Sequence, residues 1–166
     1  LMGPGIKFFI IQISAIILFV SDSMIITQLF GPENVTTYNI AFNYFNLLTI
    51  FFNIIISPFW SAFTNAYVTN DINWMKNTTK AIVKIWLALV IVACLMLSFS
   101  GMAVKLWVGN KIFVPFILSF LMMLFTLLYT WGSIFVNFIN GIGKIKLQLI
   151  CSTIVGILNI PLSILF

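Results

Sequence analysis

Residues 81–107, AIVKIWLALVIVACLMLSFSGMAVKLW, carry charge only near their ends, at Lys84 and Lys105. About 20 apolar residues in an α-helix cross a hydrocarbon core about 30 Å thick. A run of that length has no place on the surface of a small water-soluble domain, and it decides the class of fold. Four more stretches share its character, over 6–30, 37–67, 113–139 and 147–166. Composition closes the alternative of a soluble helical bundle. Of the 166 residues 62% are hydrophobic and only 7% charged, with mean hydropathy +1.18, whereas a soluble domain carries roughly 25% charged residues. The expected fold is an all-α membrane protein with about five transmembrane helices and no soluble domain.

The spans are separated by GPENVTT, TNDINWMKNTTK, VGNK and NGIGKIK, each containing glycine, asparagine or charge. Connections this short predict antiparallel neighbours in one bundle. The chain begins and ends inside or beside apolar segments, as an excerpt of a longer protein would, and LMGPG at its start lacks the pattern of a signal peptide. All of the basic residues are lysines, and the net charge is +5. Counted by alternate sides, Lys7, Lys76, Lys80, Lys84, Lys144 and Lys146 fall together, opposite Lys105, Lys111 and Glu33. The positive-inside rule then expects a cytoplasmic N-terminus for this segment. Lysines at the ends of spans read as topology, so no nucleic-acid partner is expected.

The second span has too many residues for a vertical rod, at about 46 Å for 1.5 Å per residue. Pro58 lies within it and predicts a kink, because proline removes a backbone donor and clashes with the preceding turn. Phe59, Trp60, Phe63 and Tyr67 beyond the proline suit an interfacial aromatic belt. The next stretch, DINWMKNTTKAIVKIW, is expected as a short amphipathic turn on the cytoplasmic surface, anchored by Trp74 and Trp86.

Polar residues recur at helical spacing along three spans. On the second they are Asn39, Asn43, Asn46, Thr49, Asn53, Ser57, Ser61 and Thr64, at intervals of three and four, hence on about a third of the helix circumference. The fourth span carries Ser119, Thr126, Thr130, Ser133, Asn137 and Asn140, and the fifth Gln148, Ser152, Gly156, Asn159 and Ser163. Small and hydroxylated residues commonly line helix–helix seams in membranes. A stripe holding four asparagines exceeds what one seam needs, and amides facing lipid are costly. A water-filled cavity bounded by the second, fourth and fifth spans is the expectation, with Asn39, Asn43, Asn46, Thr49, Asn53, Ser57, Thr130 and Asn137 as substrate-facing residues.

Asp22 lies about 24 Å along the first span, at hydrocarbon depth. A carboxylate there costs about 2.5–3.5 kcal/mol on insertion scales and faces a bundle interior or cavity. It is either a carboxyl hydrogen-bonded between helices or a functional group, holding a proton or cation or touching substrate. Cys94 and Cys151 sit in apolar runs without metal-ligand spacing. Neither a metal site nor a catalytic constellation is expected, and the chain does not read as an enzyme. GIGKIK lacks the glycines and the Ser/Thr of a phosphate loop. Lys144 and Lys146 read as end charges within reach of membrane lipid headgroups or a pyrophosphate.

GIKFFIIQISAIILFVSDSMIITQLFGPENVTTYNIAFNYF, SPFWSAFTNAY, LWVGNK and NGIGKIKLQ, in this order, resemble the second half of Wzx-type O-antigen and capsule flippases. These polysaccharide biosynthesis proteins belong to the multidrug/oligosaccharidyl-lipid/polysaccharide exporter superfamily. The resemblance is diffuse, runs through the whole chain and carries no diagnostic motif. It implies a two-lobed, MATE-like transporter, of which residues 1–166 would form most of the C-terminal helical lobe, as helices seven to eleven. It further implies a multi-pass protein of the bacterial inner membrane that moves a polyprenyl-diphosphate-linked glycan, with the N-terminal lobe of the same chain as partner. No cofactor is implied, apart from H+ or Na+ as coupling ion. Related lipid flippases and drug exporters hold a cation near an acidic residue on helix seven. Asp22 matches that residue by helix and chemistry only, with no local motif to align it, and Asn159 is a weaker companion. The rival readings are a cation-coupled drug or metabolite antiporter of the same superfamily, a membrane-embedded polymerase or acyltransferase, and a structural membrane subunit with a dry interface.

Overall fold

The computed structural model of the chain describes residues 3–109 and 112–165, with side chains for all of these except 3–4, 7–8, 15, 17–23, 29–30, 32, 147 and 159–165. The described residues form six helices and no strand: α1 (Gly3–Phe30), α2 (Pro32–Ile56), α3 (Phe59–Val68), α4 (Ile72–Val108), α5 (Phe116–Gly141) and α6 (Ile145–Leu165). Among them three segments are long and apolar enough to cross a membrane, Glu33–Val68, Ile72–Val108 and Phe116–Gly141. Helices α1 and α6, of 28 and 21 residues, have the lengths expected of the first and fifth spans. The chain is an all-α membrane protein. It divides into two compact units, one formed by Leu1–Thr36 with Lys144–Phe166 and the other by Thr37–Gly143.

Local chemistry sets the helix ends. At the close of α1, Gly31 takes φ +85° and its N–H bonds Thr27 O at 3.1 Å. Pro32 then starts α2, where its missing N–H is no loss. Pro58 has no N–H to give the preceding turn, so α2 stops at Ile56 and α3 begins at Phe59. The expected kink is therefore a break between two helices. Asn70, a residue type that tolerates left-handed backbone, takes φ +55° in the turn before α4. Asp71 caps α4 by accepting a hydrogen bond from the Trp74 N–H at 2.9 Å.

The segment expected as a separate surface turn, 71–86, proves to be the first turns of α4. Neither proline nor glycine occurs between Ile72 and Ser100 to interrupt it. The helix runs unbroken for 37 residues, about 56 Å at 1.5 Å per residue. Its charge-free stretch, residues 85–104, is about 30 Å long and matches a hydrocarbon core. A hydrocarbon core centred on that stretch would leave residues 72–84 beyond its edge.

In the unit Thr37–Gly143, two clusters make the core. Phe45 and Leu48 of α2 meet Ala93 of α4 and Met123 and Leu127 of α5. Toward α3, Phe52 and Ile56 meet Phe63, Met75, Ile82 and Ile134. Lipid tails are as apolar as phenylalanine, so such a core is held by close packing and hydrogen bonds more than by exclusion of water. Tyr44 supplies one such bond, donating its hydroxyl to Met96 O of α4 at 3.0 Å. In the other unit, α1 crosses α6 where Gly156 lies against Ser14: a Cβ on Gly156 would sit 3.3 Å from Ser14 Cβ. Ser14 is buried and turns its hydroxyl back to Ile10 O at 3.0 Å.

Candidate functional site

Helix α2 has three distinct faces. Ala41, Phe45, Leu48, Phe52 and Ile56 are buried in the core. Leu47, Ile50, Phe51 and Ile54 are exposed. Asn39, Asn43, Asn46, Thr49 and Asn53, continued by Ser57 just past the helix end, form the third face, which at about 100° per residue centres about 120° from the buried set and about 90° from the exposed apolar one. Asn39, Asn46, Thr49 and Asn53 are half-buried, while Asn43 and Ser57 are exposed. Among the described residues none of these six side chains makes a hydrogen bond. The stripe is therefore separate from the buried face that α2 presents to its own unit, and its side chains are unbonded among the described residues.

The stripe on α5 has the same residue chemistry and the opposite environment. Ser119, Thr126 and Asn140 are buried, and Thr130 is 0% exposed. Thr130 Oγ1 donates to Thr126 O at 2.8 Å and accepts from Trp86 Nε1 of α4 at 3.2 Å. Its hydrogen-bonding capacity is used within the α4–α5 seam, which corrects its expected place on a cavity wall. Ser133 donates to Thr130 O at 2.8 Å, and Asn137 Nδ2 donates to Ser133 O at 2.9 Å. Hydroxyls and amides that bond back to carbonyls three or four residues earlier let a polar stripe enter a packed interface. Asn137 keeps only partial exposure. The Oδ1 of Asn140 is buried and accepts no hydrogen bond among the described residues.

Beyond Pro58 the α2 stripe continues onto α3 but changes role. Ser61 donates to Pro58 O at 3.1 Å, and Thr64 Oγ1 reaches both Trp60 O at 3.1 Å and Gly141 O of α5 at 2.8 Å. Asp22 lies on α1 and Asn159 on α6, both in the unit Leu1–Thr36 with Lys144–Phe166. Their side chains are outside those described. In the same unit Gln148 Oε1 is buried without a hydrogen-bond partner among the described residues, and Ser152 donates to Leu149 O at 3.1 Å. No group of three or more metal-ligating side chains occurs among the described residues.

Trp86 is the structural residue that sequence reasoning misplaces. Instead of anchoring at the surface, it is half-buried, donates to Thr130 Oγ1, and packs on Trp131 with ring centroids 4.7 Å apart. Its position two residues past Lys84 suits an interfacial tryptophan equally well, and only the facing Thr130 distinguishes the two roles. Trp86→Phe should lose the donor and keep most of the ring. The expected destabilisation is about 0.5–1.5 kcal/mol. Trp86→Ala removes the packing as well and should lose about 3–5 kcal/mol. Unfolding titrations in mixed micelles measure both, and equal losses would contradict this division.

Comparisons with family models, curated proteins and solved structures give no match.

Proposed function

We propose that this protein is a flippase. It moves a polyprenyl-diphosphate-linked oligosaccharide, an O-antigen or capsule repeat unit, across the bacterial inner membrane. The observation that carries the reading is the α2 stripe, six amide and hydroxyl side chains in line without hydrogen-bond partners among the described residues. Asparagine and hydroxyl groups are the neutral donors and acceptors that sugar hydroxyls need. Facing lipid, they would carry an uncompensated desolvation penalty. The glycan passes along this stripe while the polyprenyl tail stays in the bilayer. The break after Ile56 lets α2 and α3 change their mutual angle as access alternates, and broken helices recur in transporters that work this way. Asp22 binds the coupling H+ or Na+, assisted by Asn159.

Complementation tests the proposal. The full-length gene, expressed in a bacterium lacking its own O-antigen or capsule flippase, should restore surface glycan. Asp22→Asn should reduce that restoration at least about tenfold at equal expression, as loss of an intramembrane coupling charge predicts. Correct membrane insertion without any restoration, across hosts with different repeat units, would reject the flippase reading.

A further inference from the structure

The amino-terminal turns of α4 and the carboxy-terminal turns of α5 enclose a crevice of about 370 Å³. Its walls are almost wholly apolar, with Ile72 from α4 and Ile134, Phe135 and Phe138 from α5, and Lys76 and Lys80 stand at it. Four residues apart on one helix, the two lysines share a face. Neither forms an ion pair among the described residues. With residues 85–104 spanning the hydrocarbon, Lys80 lies about 7 Å and Lys76 about 13 Å along the helix beyond its edge. That is headgroup depth for Lys80 and within side-chain reach of it for Lys76. On the membrane side, the same face of α4 continues with exposed Leu87 and Ile91, and α5 with Leu128 and Trp131.

We infer that this crevice binds an anionic phospholipid of the surrounding bilayer. The phosphate sits between the Lys76 and Lys80 ammonium groups, and an acyl chain descends over Phe135 into the apolar track between α4 and α5. Charge selects the headgroup, because lysines near an anionic lipid surface are each worth several-fold in affinity. The apolar walls favour a lipid over a free phosphate, which would meet the two lysines and gain nothing from Ile134, Phe135 and Phe138. This site is independent of the transport reading, and either one stands without the other.

The test uses the full-length protein in detergent, titrated with phosphatidylglycerol and phosphatidylcholine of identical chains and read by native mass spectrometry. Phosphatidylglycerol should bind at least about tenfold more tightly. The double variant K76Q/K80Q should lose that preference, K76R/K80R should keep it, and K144Q/K146Q should leave it unchanged. Phe135→Ala should weaken both lipids, and glycerol phosphate should not compete. The inference is overturned if the two lipids bind equally to the parent protein, if K76Q/K80Q retains the preference, if K144Q/K146Q abolishes it equally, or if glycerol phosphate displaces the lipid.

Discussion

Gly141→Ala should destabilise the unit Thr37–Gly143 by about 1–3 kcal/mol, the range of overpacked cores, although alanine is the better helix former. A Cβ at this position would lie 2.6 Å from Phe63 Cβ and 3.0 Å from Trp60 O. Neither obstacle is the loose end of a flexible chain. Phe63 is 0% exposed and is held edge-on between Phe138 at 5.3 Å and Trp74 at 5.8 Å. Relief therefore requires α3 to move away from α5, which stretches the 2.8 Å bond from Thr64 Oγ1 to Gly141 O. Helix propensity returns at most about 1 kcal/mol, so the clash prevails. Gly132, on the same helix, supplies the control because a Cβ there meets nothing within 4 Å. Gly132→Ala should be neutral or stabilising by up to about 1 kcal/mol. Gly141→Leu should prevent α3 from docking and leave little folded protein in the membrane. Denaturant titration in micelles, with membrane yield for the leucine variant, checks the series. Equal stability of Gly141→Ala and Gly132→Ala would refute the close approach.

The position of Gly141 was not legible in the sequence, and the reason is physical. Its importance comes from Phe63 and Trp60, more than 70 residues away in the chain, and no local pattern announces a distant contact. What depends on local chemistry was legible. The apolar runs became helices, Pro58 interrupted the second span, and the glycine-containing linkers separated α1 from α2 and α4 from α5. The boundary of α4 was misplaced because polarity was taken as a change of element. Residues 72–80, polar as many of them are, belong to the same unbroken helix as the apolar run that follows.

The two polar stripes mark another limit. Periodicity shows which residues share a face, but it does not reveal what that face meets. Thr130 and Asn46 occupy equivalent places in their patterns, yet Thr130 is sealed beneath Trp86 while Asn46 stays partly open. The seam reading suits α5 and the cavity reading remains for α2, although one residue chemistry suggested one role for both. Trp86, packed on Trp131, donates to Thr130 of α5, whereas none of the α2 stripe side chains is hydrogen-bonded among the described residues.

Cysteines introduced at Asn43, Asn46 and Asn53 of the full-length protein should therefore react with membrane-impermeant thiol reagents. Cysteines at Leu47 and Phe51 should not. The native Cys94 and Cys151 are both exposed free thiols and must first be replaced by serine or alanine. The contrast rests on chemistry. A thiol reacts as its thiolate, and a thiolate forms in water but not in hydrocarbon. Leu47 and Phe51 lie on the exposed apolar face of α2, so they report lipid, whereas the three asparagine positions report whatever the polar stripe faces. A cysteine at Thr130 should also stay inert, for the separate reason that its site is packed. Labelling at the stripe should exceed labelling at Leu47 and Phe51 at least about tenfold. Replacing Asn43, Asn46 and Asn53 together by leucine should then abolish transport while preserving insertion, because none of the three holds a hydrogen bond within the described structure. Transport unaffected by the triple replacement would separate the stripe from the substrate path. Inert cysteines at all three positions would mean that the stripe meets another helix, and its amides would then act as a seam of the kind α5 displays.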